Sequence, residues 1–207
     1  RKYLNVIDGI QAMERSENTN TGGGGLPYDR HVVLASVDPV AADAVASRVM
    51  GYDYHSVPVI SHAALDTLHP IGTNDPGQIA VVGGDIGSTL SHVFMFNAQW
   101  DDWAGSLAIT DFVPPTISSL GRQGDTVTAD ISGGLAAYVI YQEDGVEGIL
   151  EMSRDADTYS ATLPGAVTQY LIRAQDQHFN TATAADTAAP PRPVLAYPAD
   201  ARLTSDS

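Results

Sequence analysis

The 207-residue chain contains no cysteine. That absence excludes disulfides, thiolate-held metals and iron–sulfur ligation from this segment, and it leaves the redox compartment open. Basic side chains are scarce as well: 10 Lys and Arg stand against 25 Asp and Glu, for a net charge of −15. The excess is uneven, with 5 basic and 10 acidic residues over 1–97 and 5 and 15 over 98–207. A surface of that sign repels phosphate backbones, which argues against nucleic acid as a partner, and it suits a soluble protein in an extracellular or cell-surface setting. No apolar run is long enough to span a bilayer, and no apolar signal region opens the chain. It begins at Arg1 with a strand-like stretch almost at once, so its start reads as a cut point and the chain as a fragment.

What is present divides into two unlike modules. Pro114-Pro115 and Pro190-Pro191 bracket a segment patterned unlike anything before it. The reading is an α/β module over 1–105, a linker over 106–113 and an immunoglobulin-like or fibronectin type III-like β-sandwich over 114–188. A Pro-rich linker and the start of a further β module then occupy 189–207.

In the first module, Leu4-Asn5-Val6-Ile7 stops at Asp8-Gly9, and Val32-Val33-Leu34-Ala35-Ser36 stops at Asp38-Pro39. Both runs read as buried strands. Pro39 to Met50 reads as a helix, with Asp38 as its cap, Pro39 at its first position and Gly51 just past its end. A second short helix is expected over 61–69 and a third strand over Gln78–Val82. A helix as apolar as the first needs cover on most sides, so the fold class expected is a layered α/β segment with a mainly parallel sheet.

The runs Asn5-Val6-Ile7-Asp8-Gly9-Ile10-Gln11-Ala12-Met13-Glu14, Leu34 to Ala46 and Met50-Gly51-Tyr52-Asp53, with Val81-Val82-Gly83-Gly84 later, carry a resemblance. Over residues 3–95 the chain resembles the C-terminal half of domain-of-unknown-function family 362. The resemblance implies no activity, since the family is named for lacking one, although some members are attached to iron–sulfur ferredoxin modules. It also implies that an N-terminal half of the α/β domain is missing here and would be a partner of this segment. The loop from Ser16 to Thr21 before Gly22–Gly25 departs from the family pattern.

Three aspartates, Asp8, Asp38 and Asp85, each end an apolar run. On parallel neighbouring strands they would converge at the carboxyl edge, where open α/β sheets bind ligands, and could hold Mg²⁺ or Ca²⁺. The same residues are also read as a turn former, a helix cap and a loop residue, and that structural reading is the one favoured. Asp43 falls among Val40, Ser47 and Met50 at helical spacing, where a carboxylate needs a partner or a raised pKa: it reads as a metal ligand or general base beside Asp38, or as a structural group bonding loop amides or an Arg. His62 and His69 share a helix face but lack a zinc-site pattern, and the Gly22–Gly25 run lacks the residues of a phosphate loop.

The second module alternates as strands do: Thr126–Ile131, Tyr138–Gln142, Gly148–Met152, Thr158–Leu163, Tyr170–Ala174 and Thr181–Ala184. Tyr170 to Asp176 with Asn180 to Thr183 resembles the closing hairpin of bacterial immunoglobulin-like modules, except that Phe179 stands where a Gly usually precedes the Asn. Tyr138, Tyr141, Tyr159 and Tyr170 read as core packing, Asp155 and Asp157 as a turn, and Trp100 with Trp103 as cover for the joint.

Two functions fit these features. One is a piece of a secreted or surface multidomain protein whose β module is a spacer or interaction module for a protein or cell-surface partner. The other is a metal-dependent or redox-associated enzyme using the strand-end aspartates and residues outside this chain.

Overall fold

A computed structural model of the chain describes residues 3–14, 25–65, 71–84, 86, 92–95, 108–165 and 167–185. The N-terminal module opens with a long hairpin in which β1 (Asn5–Glu14) pairs antiparallel with β2 (Leu26–Ser36). This corrects the expectation of a mainly parallel sheet. A parallel return needs a crossover of a dozen or more residues, usually helical; here only residues 15–25 lie between the two strands. The expected third strand is also corrected, since 78–82 forms no ladder.

Asp8-Gly9 does not end β1. It lies inside the strand, beside a bulge where Arg30 and His31 together face Ile10. His31 takes the left-handed conformation there, at φ +54°. A bulge adds a residue to one strand and re-aims side chains nearby. Arg30 is buried while Asp29 and His31 on either side are exposed.

Helix α1 (Pro39–Val49) begins as its sequence dictates: one oxygen of Asp38 accepts the N–H groups of Val40 and Ala41, and Pro39 fills the first turn. Gly51, at φ +82°, takes the left-handed turn past its end. A short 3₁₀ turn at Tyr54–Ser56 leads into α2 (Pro58–Leu65), which starts earlier than the 61–69 expected; residues 66–70 lie outside the described set.

Eight strands follow: β3 (Thr116–Gln123), β4 (Thr126–Ser132), β5 (Ala136–Glu143), β6 (Val146–Glu151), β7 (Ser153–Asp155), β8 (Thr158–Thr162), β9 (Tyr170–Gln175) and β10 (Thr181–Ala185). They form two antiparallel sheets, ordered β3-β4-β8-β7 and β10-β9-β5-β6. Val127, Ala129 and Ile131 of β4 and Tyr159 of β8 meet Ala137 and Val139 of β5 and Ile172 and Ala174 of β9 in one core. The expected β-sandwich is therefore present. Of the four tyrosines read as packing, Tyr138, Tyr159 and Tyr170 are buried and Tyr141 lies partly buried against that core.

An antiparallel sheet normally packs one face and leaves the other in water. Strand β9 does not: all six residues are buried. Tyr170, Ile172 and Ala174 point into the sandwich core, while Leu171, Arg173 and Gln175 occupy the opposite face. Residues 76–84 of the N-terminal module cover that face. Gln175 donates through Nε2 to the carbonyls of Pro76 and Ile79, and its Oε1 accepts the Val81 N–H at 3.2 Å. Arg173 donates to the carbonyls of Val81, Gly83 and Gly84 at 3.4, 2.7 and 3.3 Å. Thr181 and Ile86 exchange bonds at the start of β10.

The turn between β9 and β10 goes further in. Phe179, fully buried, belongs to the same apolar cluster as Val40, Ala44, Val45 and Val49 of α1 and Tyr54. Beside it, Asn180 accepts from Arg48 of α1 and donates to Asp176 and to the Asp111 carbonyl. Burial pulls the Arg48 guanidinium down to about 10, with Asp176 opposing. Trp100 and Trp103, expected at the joint, lie outside the described residues.

Candidate functional site

The structure places Asp8, Asp38 and Asp43 in three different settings. Asp38 is the most engaged: Oδ1 holds the first turn of α1, and Oδ2 accepts the Thr73 N–H at 2.9 Å. A Cβ added to Gly72 would sit 1.9 Å from Asp38 Oδ1, so the loop approaches this carboxylate only because residue 72 is glycine. Three backbone donors on one carboxylate make a joint between α1 and the 71–75 loop.

Asp8 is exposed, and its side chain accepts the Ile10 N–H at 3.0 Å. It faces Val33 across the hairpin. The level of Ser36 is three residues further along β2, about 10 Å at the usual strand rise, and Asp38 lies beyond that. Asp43 is exposed on α1, which removes the expectation of a carboxylate on an apolar stripe; the stripe packs through Val40, Ala44 and Val45 instead. Asp85 lies outside the described residues, as do His69 and Gly22–Gly24. Among the described residues no three His, Asp or Glu side chains gather as a metal-holding group.

A different constellation is assembled at the far end of the hairpin. Glu14, the last residue of β1, is 4% exposed, and its carboxylate bonds Nε2 of His92, whose side chain is 39% exposed. The His92 ring stacks on Tyr28 of β2, with centroids 4.3 Å apart and planes 4° from parallel. Arg30, placed inward beside the bulge, lies 5.0 Å from the Tyr28 ring centre and 4.8 Å from that of Phe94. It donates through Nη2 to the His92 carbonyl. Its Nε is buried and has no hydrogen-bond partner among the described residues. Burial lowers the Arg30 pKa, and Glu14 is among the groups opposing that shift. Tyr52 donates to the Phe94 carbonyl at 2.9 Å, and burial, reinforced by the Glu14 charge, pushes its phenol up to about 12.

Chemically, the arrangement joins a buried carboxylate to a partly exposed imidazole, with a buried cation alongside. A carboxylate on one ring nitrogen fixes the tautomer and orientation of a histidine, leaving the other nitrogen for work. Sequence reasoning singled out neither His92 nor Arg30. No local spacing links Glu14 to a residue 78 positions away. The available signal was chemical: Glu14 falls on the inward phase of a strand otherwise carrying Ile7, Gly9 and Ala12 there.

Comparison with known proteins supports part of the family resemblance. Residues 1–48 match the model of the family described as Domain of unknown function (DUF362). The chain thus carries a portion similar to that family, covering the hairpin and most of α1. The match stops short of Met50–Asp53 and Val81–Gly84, and none falls on the sandwich. Neither the curated proteins nor the solved structures include a match to this chain.

Proposed function

We propose that this chain is a structural piece of a secreted or cell-surface multidomain protein, in which the sandwich is a rigid interaction module holding the family-like segment in a fixed pose. The observation that carries this reading is the double-sided burial of β9, with Arg173 and Gln175 committed to backbone groups of residues 76–84. A flexible spacer has no use for buried polar side chains aimed at its neighbour, because each left unmatched costs about 1–3 kcal/mol.

Three further features support the reading. Strand orders β3-β4-β8-β7 and β10-β9-β5-β6 accord with an immunoglobulin-like or fibronectin type III-like module. The net charge of −15 accords with an extracellular or surface location. Val6, Ile10, Met13, Val33 and Val37 leave an exposed apolar strip along the hairpin, which accords with more of the α/β domain packing there.

Residual dipolar couplings in a weakly aligning medium test the rigid pose. One alignment tensor fitting amides of both α1 and the sandwich is the expected result. Two tensors of different magnitude would mean independently moving modules and end the proposal.

A further inference from the structure

We propose that Glu14 and His92 form a proton-accepting site, in which His92 Nδ1 is the working atom and Glu14 is its positioning residue. The ligand class is a small molecule presenting an acidic N–H or O–H group. Nε2 is taken by a carboxylate that is itself almost wholly buried, so a neutral His92 carries its proton on Nε2 and presents a lone pair on Nδ1. The ring is partly exposed and held flat against Tyr28, which limits its rotation.

Among the described residues, the charged and titratable groups against it are Glu14 of β1 and Tyr28 and Arg30 of β2, with Tyr52 bonded to the nearby Phe94 carbonyl. When a ligand proton moves to Nδ1, the ligand keeps the bonding pair and becomes an anion. The new imidazolium faces the Glu14 carboxylate, and Arg30 is the nearby cation. This use of the hairpin's inward face is independent of the role proposed for the sandwich. The bulge at Arg30 and His31 accords with a built site, since such irregularities re-aim side chains beside functional centres.

Two measurements on the full chain test it. The first is the His92 tautomer, read from ¹⁵N–¹H long-range correlations of the neutral protein. Protonated Nε2 with bare Nδ1 is expected; protonated Nδ1 would overturn the proposal. The second uses diethyl pyrocarbonate, whose carbonyl carbon is attacked by bare imidazole nitrogen with release of carbon dioxide and ethanol. Modification of His92, followed by peptide mass spectrometry, should be about tenfold slower in Glu14→Gln than in wild type, with exposed His62 unchanged. Equal His92 rates in the two proteins would overturn it. If Glu14→Gln fails to fold, judged by far-UV circular dichroism, the wild-type tautomer decides alone.

Discussion

The ring of Phe179, carried on the turn between β9 and β10, lies 5.1 Å from the ring of Tyr54 in the N-terminal module. Phe179 also sits at φ +57°, a conformation a bulky side chain adopts only when its surroundings hold it there. Its burial among α1 residues supplies that restraint. Removing the ring by Phe179→Ala should cost about 3–5 kcal/mol, the usual range for a buried phenylalanine. Urea unfolding followed at 222 nm checks this, and a loss below about 1 kcal/mol would show that the ring contributes little to the joint.

Gln175→Glu should destabilise the chain although it changes only one atom. The amide nitrogen now donates to the carbonyls of Pro76 and Ile79; a carboxylate there sets a buried charge against two acceptors. Gln175→Leu removes the amide and strands three backbone groups instead, at about 1–3 kcal/mol each if they stay dry. Thermal unfolding of both variants should show lower midpoints than wild type. A midpoint at or above wild type in either would show that the polar joint is dispensable.

Gly72→Ala tests the reading of Asp38 as a structural joint. The added methyl group meets Asp38 Oδ1 at 1.9 Å, so either the loop or the cap must move. Asp38→Ala removes the cap itself, for about 0.5–2 kcal/mol, plus the lost bond to Thr73. Asp38→Asn keeps an acceptor at the cap and should lie between wild type and Asp38→Ala. Mg²⁺ or Ca²⁺ raising the melting temperature of wild type but not of Asp38→Asn would contradict this reading and favour a metal role.

Alkaline pH should destabilise the fold. Burial pushes Tyr52 and Tyr138 up to about 12 and places Tyr54 above the usual phenol range. The unfolded chain loses these protons from about pH 10 upward, while the folded chain keeps them to about 12. In that window the unfolded state binds fewer protons, so stability falls as pH rises. Arg48 acts in the opposite direction: its folded pKa of about 10 lies below the unfolded value, so its buried charge costs most at lower pH. Arg30, whose value burial also lowers, acts with Arg48, and the four raised tyrosines, Tyr159 among them, outweigh the two arginines. Urea midpoints should therefore drop between pH 9.5 and 11.5, and Tyr138→Phe should reduce the slope.

Much of the local structure was legible because it is written in neighbouring residues. Asp38-Pro39 and Gly51 bracket α1 through capping chemistry that needs no tertiary partner. Alternation in Thr126–Ile131 located β4, and the run Tyr138–Gln142 located β5, which turns into β6 at Asp144 and Gly145 with φ values of +51° and +80°. Strand β3 was missed because Thr116–Gln123 is mostly exposed and shows no apolar alternation.

The direction of pairing was not legible, since an apolar run such as Val32–Ser36 looks the same in a parallel or an antiparallel sheet. That one uncertainty scattered the aspartate site: antiparallel pairing places Asp8 and Asp38 at different levels of the hairpin. The contacts that matter most join residues far apart in sequence, including Glu14 with His92 and Arg173 with Gly83. Phe179 in place of the usual turn glycine was the nearest available clue. A bulky residue at a left-handed position implies that something nearby holds it, and here α1 and Tyr54 do.

Through the β9–β10 turn, the sandwich and the hairpin–helix segment should unfold as one cooperative body. Native-state hydrogen exchange by mass spectrometry tests it most directly, comparing wild type with Phe179→Ala/Gln175→Ala. Peptides of α1 and of segment 76–84 should lose protection in the double variant while β4 and β5 keep theirs. Protection of α1 unchanged by the two substitutions would contradict it.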